Sequence, residues 1–126
     1  MLENEITKQN LRTMVIQFYT RVLEDEEVGP FFIERLGDDL TGEVWGEHID
    51  LLTNFWASIA LGDLAYRGSP MRPHFDMPGL QRETFARWLE LFYATLDGLY
   101  VESIANQFKE RSSIIAGNFM RNLALN

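Results

Sequence analysis

The fold class is indicated most clearly by residues 44–59, which have the sequence VWGEHIDLLTNFWASI. Its apolar side chains and one histidine recur at spacings of three and four, at Val44, His48, Leu52, Phe55 and Ile59. An α-helix has about 3.6 residues per turn, so this spacing places the five side chains on one face. The stretch therefore predicts an amphipathic helix that carries a histidine on its apolar face, with Trp45 and Trp56 beside that face.

Helical periodicity also dominates the rest of the chain, and no segment shows the alternation of a β-strand. The central helix is expected to begin at the cap candidates Asp38, Asp39 or Thr41 and to end near Leu61-Gly62. A single helical turn is expected from Phe31 to Leu36. The other long helices are predicted over residues 5–24, 82–96 and 100–123. We therefore predict one all-α domain of four substantial helices that spans residues 1–126.

The helical pattern breaks down between Gly62 and Leu80, where three of the four prolines and three glycines lie. This composition predicts an irregular connector rather than a helix. The acidic run from Glu24 to Glu27, which ends the first helix, is interpreted as solvent-exposed charge. Gly29-Pro30 follows it and is expected to break the helix.

Composition excludes several functional classes. The 126 residues carry a net charge of −8 and include no cysteine, which excludes disulfides, thiolate metal sites and cysteine nucleophiles. An acidic surface without a basic run disfavours nucleic acid and anionic membranes as partners. The apolar stretch from Phe55 to Leu61 is too short to span a bilayer, and no signal segment is visible. A cytoplasmic location is expected.

The chain has two histidines, and each has two interpretations. His48 is either a hydrogen-bonded core residue or part of a pocket. His74 is either a surface residue or a metal ligand, and the stiff Pro73 before it favours the ligand because a metal bond needs a fixed ring orientation. The residue types do not support a four-coordinate zinc site, a hydrolytic triad or a phosphate-binding loop.

Tyr19 and Trp88 are polar-tipped aromatic residues on or beside predicted apolar faces. A buried hydroxyl or indole N–H normally needs a hydrogen-bond acceptor. Each group either finds a carbonyl in the core or converges with His48 on a pocket that binds a ligand.

The ordered set of these residues resembles the truncated hemoglobins and is most similar to their group III. The resemblance spans about Leu11 to Phe119, and the chain lacks the Gly-Gly motif that other groups have after the first helix, as expected of group III. It is carried by Phe18-Tyr19, Val22, Gly29-Pro30, Phe32, Trp45-Gly46-Glu47-His48, Asn54-Phe55-Trp56, Leu61-Gly62, Tyr66, Gly68, Pro70, His74 and the segment from Phe85 to Phe92.

The resemblance implies a two-over-two helical sandwich around heme b, with His74 as the proximal iron ligand. It also implies that Arg72 is a propionate partner. The distal ligand-binding residues would be Tyr19, His48, Leu52 and Trp88. The residues that line the heme cleft would be Phe55, Trp56, Tyr66 and Trp88.

Three functions remain open at this point. The first is reversible binding of O2, NO, CO or a similar small ligand, including oxygen transport. The second is a heme enzyme with nitric oxide dioxygenase or peroxidase-like activity, which would need a separate reductase because the chain has no reductase domain. The third is a heme-free helical module with a sensory or interaction role.

Overall fold

A computed structural model describes residues 2–62 and 81–122, with the side chains of that range except at positions 119 and 122. The described residues form five helices and no strand, which confirms the prediction of an all-α fold. The helices are α1 (Lys8–Glu24), α2 (Gly29–Leu36), α3 (Glu43–Ala60), α4 (Arg82–Leu99) and α5 (Glu102–Asn122). Helix α1 packs against α2, α3 and α4, and α5 packs against α4.

Helix α1 begins three residues later than its periodicity predicts, because a capping box sets its first turn. The Asn10 backbone N–H donates to the Thr7 hydroxyl at 3.1 Å, and the Thr7 N–H donates to the Asn10 side chain at 3.0 Å. The helix then buries one face against the core. That face consists of Leu11, Met14, Val15, Phe18, Tyr19 and Val22.

The segment after α1 is more helical than predicted. A single turn was expected from Phe31, but α2 is an eight-residue helix that begins at Gly29. Pro30 lies in its first turn, where a missing N–H costs no helical hydrogen bond. A Cβ at Gly29 would lie 2.8 Å from the Val22 carbonyl oxygen, so glycine allows α2 to start close to the end of α1.

Helix α3 begins without the side-chain cap that the sequence suggested. Its N-cap is Gly42, and the side chain of Asp39 instead accepts from the Thr41 N–H at 3.0 Å and the Thr41 hydroxyl at 2.6 Å. The prediction that Val44 lies on the buried face is also wrong, since Val44 is 53% exposed and its neighbour Trp45 is fully buried. The most deeply buried face runs through Trp45, Ile49, Thr53, Trp56 and Ala57.

The face that the periodicity selected on α3 is partly covered rather than buried. His48, Leu52, Phe55 and Ile59 are all half-buried, next to the fully buried face. Helix α3 therefore places a histidine and three large apolar side chains at the edge of the core.

The α4–α5 corner is held by the N-terminal segment. Helix α4 continues to Leu99, three residues beyond its predicted end, and includes Gly98. The Glu3 N–H donates to the Leu99 carbonyl at 2.8 Å, and the Val101 N–H donates to the Glu3 carbonyl at 3.0 Å. Helix α5 buries Ile104 and Phe108. None of the helices described here combines the length and apolarity needed to cross a membrane.

Candidate functional site

Tyr19 and His48 face each other at the contact between α1 and α3. The Tyr19 hydroxyl lies 3.3 Å from His48 Nε2, and Tyr19 is only 4% exposed. Burial raises the pKa of Tyr19 well above its usual range, so its hydroxyl stays protonated at neutral pH. Two residues that the sequence proposed for one pocket therefore lie within hydrogen-bonding distance of each other.

The Tyr19 ring is held in place by other rings on three sides. Its centroid lies 5.0 Å from that of Trp45, 5.4 Å from Phe32 and 5.2 Å from the His48 imidazole. The Trp45 indole N–H donates to the Gly37 carbonyl at 2.7 Å, which fixes that ring in turn. The position of the Tyr19 hydroxyl is consequently set by packing from α2 and α3.

Trp88 contacts the ring of Phe18, which also contacts Tyr19. Its centroid is 5.3 Å from that of Phe18 in an edge-to-face arrangement and 5.7 Å from the stacked Phe92 ring. Trp88 is half-buried. Phe18 thus lies between the two proposed donors, Tyr19 and Trp88, and contacts both rings.

Trp56 of α3 belongs to the same cluster of aromatic rings. It stacks on Phe92 at 5.4 Å and meets the edges of Phe55 at 5.2 Å and Phe108 at 5.5 Å. Trp56 is 6% exposed, whereas Phe55 is half-buried. The sequence placed both residues at the wall of a cleft, and the structure brings them together with Phe92 of α4.

These residues fit the chemistry of a heme. A porphyrin is flat and apolar, and its iron-bound ligand gains from hydrogen-bond donors on one side. On α3 the half-buried Leu52 and Phe55 lie one and two turns beyond His48, and α4 adds the half-buried Trp88. The described part of the chain therefore supplies an apolar, aromatic surface with a Tyr–His pair at one end.

Three of the proposed site residues, Tyr66, Arg72 and His74, lie outside the described residues. Their assignments as cleft wall, propionate partner and iron ligand stay predictions. Within the described ranges, no group of three or more His, Cys, Asp or Glu side chains is placed to hold a metal ion.

Sequence reasoning missed one polar group beside this region. Asp25 was interpreted as part of an exposed acidic run, but its side chain is only 7% exposed and pairs with Arg87 at 2.8 Å. Burial alone would raise the pKa of Asp25, but hydrogen bonds from the Val28 N–H, Arg87 and the Glu27 N–H lower it below its usual range. A hint was available, because Asp is a strong former of turns at a helix end.

Comparisons with known proteins agree with the resemblance drawn from the residues. No family model matches the chain. The chain is 34% identical over 118 residues to the group 3 truncated hemoglobin ctb of Campylobacter jejuni subsp. jejuni, covering 94% of this chain and 91% of that protein.

The fold comparison gives the same result. The crystal structure of a group III truncated hemoglobin from Campylobacter jejuni superposes with a TM-score of 0.90 at 33% identity, covering 98% of this chain and 95% of the other. Identity at this level over nearly the full length of both chains establishes common family membership. The chain belongs to the group III truncated hemoglobins, a family of globins that carry heme and bind small gaseous ligands.

Proposed function

We propose that this globin binds heme b through His74 and reversibly binds dioxygen or a similar diatomic ligand such as NO or CO. The observation that carries the proposal is the Tyr19–His48 pair, in which the buried Tyr19 meets the half-buried His48 at the end of the apolar face of α3. The sequence comparison and the structure comparison both match a truncated hemoglobin, which supports the same role here. The proposal includes a single domain over residues 1–126 and the cytoplasmic location predicted from the sequence.

When bound, the heme would supply an iron that takes up a diatomic ligand, and His74 would hold that iron. The chain's contribution is to place hydrogen-bond donors and exclude water around that ligand. Tyr19 is suited to the first task because its hydroxyl is a protonated donor at neutral pH. Its ring is fixed by Phe32 and Trp45, so the hydroxyl needs little ordering when a ligand arrives.

The tautomer of His48 decides how the Tyr19 hydroxyl is used. When Nε2 lacks a proton it accepts from the hydroxyl, and the Tyr19 proton is then directed at His48. When Nε2 carries the proton it donates to the Tyr19 oxygen, and the hydroxyl proton is free to point at a ligand. His48 would therefore tune the donor strength of Tyr19 in addition to any contact of its own.

Trp88 would supply a second donor through its indole N–H. A hydrogen bond from a neutral donor to a charge-bearing acceptor contributes about 1–3 kcal/mol. Each donor would therefore slow ligand release by roughly one to two orders of magnitude. Leu52 and Phe55, both half-buried beside His48, would keep water from competing for these donors.

The decisive experiment is an absorption spectrum of the purified protein supplied with heme, alone and after reduction under CO. We expect a Soret band in the wild type and its loss or weakening in His74→Ala. Imidazole added to His74→Ala should restore the band if the side chain acts as the iron ligand.

The matched control is His48→Gln, which changes the other histidine and should keep the heme. A colourless wild type would contradict the proposal and favour the heme-free module. An unchanged spectrum in His74→Ala would show that a different residue binds the iron.

A further inference from the structure

The ion pair between Asp25 and Arg87 joins three elements of the fold. Arg87 Nε and Nη2 both lie 2.8 Å from Asp25 Oδ1. The other carboxylate oxygen of Asp25 accepts from the backbone N–H groups of Val28 at 2.9 Å and Glu27 at 3.1 Å. Asp25 itself is the C-cap of α1, so one side chain connects the end of α1, the entry to α2 and helix α4.

This pair differs from an ordinary surface ion pair. The Asp25 side chain is 7% exposed and that of Arg87 is 38% exposed, whereas Glu90, the second partner of Arg87, is 69% exposed. Exposed pairs contribute little to stability, but a buried carboxylate that loses its partner is costly. The Asp25–Arg87 contact is therefore able to hold α4 in one position against α1.

The residue that follows Arg87 is Trp88, the proposed second donor. A further polar contact links the same two helices, since Arg21 donates to the Thr95 hydroxyl at 2.8 Å. Phe18 of α1 touches both Trp88 and Tyr19. The register of α4 along α1 consequently decides how far the Trp88 indole N–H lies from the Tyr19 hydroxyl.

We infer that Asp25 and Arg87 are positioning residues for Trp88, and that their ion pair sets the separation of the two distal donors. This inference depends on the proposed ligand-binding function. The pair does not touch the ligand. It acts by fixing the start of α4, so that the Trp88 N–H points at the site instead of at solvent.

The test uses the holo protein in its reduced, CO-bound, diamagnetic state with 15N-labelled tryptophan. The chain has three tryptophans, so three indole N–H signals are expected, and Trp88→Phe identifies one of them. In Asp25→Asn and in Arg87→Met we expect the Trp88 signal to shift while those of Trp45 and Trp56 stay in place. Asp25→Asn is the milder change, because its carbonyl oxygen still accepts from Val28 and Glu27.

Dioxygen release supplies the second readout. We expect Asp25→Asn and Arg87→Met to change the off-rate about three- to tenfold, and to have no further effect when combined with Trp88→Phe. Arg87→Lys should retain part of the wild-type rate, because it keeps the charge but loses the forked donor geometry. Glu90→Gln is the matched control, and should leave both the Trp88 signal and the off-rate unchanged.

Two outcomes would overturn the inference while leaving the proposed function intact. One is an off-rate change in the ion-pair variants that persists at full size in the Trp88→Phe background. The other is a shift of all three indole signals together, which would indicate general loosening of the fold. A protein that binds no heme would instead contradict the proposed function, and its missing Soret band separates that result from the others.

Discussion

Two buried tyrosines, Tyr19 and Tyr100, show how one residue type serves two purposes in this fold. They are 4% and 1% exposed, and burial raises the pKa of both well above the usual range, with the charge of Glu3 adding to the effect at Tyr100. The Tyr100 hydroxyl donates to Asn10 Oδ1 at 2.7 Å, whereas the Tyr19 hydroxyl lies 3.3 Å from His48 Nε2. The two hydroxyls share a protonation state and differ in their partner.

Asn10 is a fixed partner because its own side chain is fully engaged. Its Oδ1 also accepts from the Thr7 N–H, and its Nδ2 donates to the Glu5 carbonyl at 2.9 Å. His48 is half-buried, and the direction of its bond with Tyr19 depends on the tautomer. The Tyr100 hydroxyl thus donates its proton to a fixed acceptor within the fold, whereas the Tyr19 hydroxyl can donate to a ligand.

Asn10→Ala is expected to have the largest effect on stability. The change removes the acceptor of the buried Tyr100 hydroxyl and one half of the α1 capping box, so the free energy of unfolding should fall by about 2–4 kcal/mol. Urea unfolding measures the loss. Gln9→Ala, an exposed change on the neighbouring residue, should stay within about 0.5 kcal/mol of the wild type. Equal stability of the two variants would show that the Tyr100 contact is dispensable.

Tyr19→Phe should act on ligand release more than on stability. Loss of one donor to a charge-bearing ligand predicts dioxygen release about 10–100-fold faster, measured by stopped-flow displacement with CO. Tyr100→Phe removes a hydroxyl from an equally buried ring and should leave the rate unchanged. Similar off-rates in the two variants would remove the functional distinction between the tyrosines.

Very slow dioxygen release in the wild type, with rapid oxidation by NO or peroxide, would favour the alternative of a heme enzyme.

High pH should expose what the two tyrosines have in common. Each has a folded-state pKa above the ordinary value of 10.0, so its contribution to stability is complete below that pH and is lost as the pH rises towards the folded value. Each tyrosine should lower the free energy of unfolding by about 1.4 kcal/mol per pH unit in that range. Urea unfolding between about pH 9 and 11 tests this, because Tyr19→Phe and Tyr100→Phe should each flatten the slope. A slope that neither variant changes would contradict the shared effect of burial.

Helix periodicity was enough to predict most of the architecture. The approximate extents of α1, α4 and α5 were predicted because apolar residues at spacings of three and four leave few alternatives to a helix. On α3 the same reasoning selected Val44 over Trp45, although Trp45 is the buried one. One residue is a rotation of about 100° around a helix, and periodicity alone does not say which of two adjacent apolar faces meets a neighbour.

The polar contacts were harder to predict than the helices. Asp25 is one of four consecutive acidic residues, and the turn-forming tendency of Asp is the one local feature that distinguishes it from Glu24, Glu26 and Glu27. Its burial depends on Arg87, which is distant in sequence and is brought beside it by the packing of α4 on α1. The hydrogen bond from Tyr100 to Asn10 went unpredicted for the same reason.

The sequence by itself determined that this protein is helical, that its helices carry apolar faces rich in aromatic residues, and that it resembles the group III truncated hemoglobins. Those properties depend on the order of residue types along the chain, which is already present before the chain folds. Only the tertiary structure decided that the Tyr19 hydroxyl meets His48 and that Asp25 meets Arg87. Such contacts form between residues far apart in the chain, so their partners are set by how the helices cross and in which register they pack.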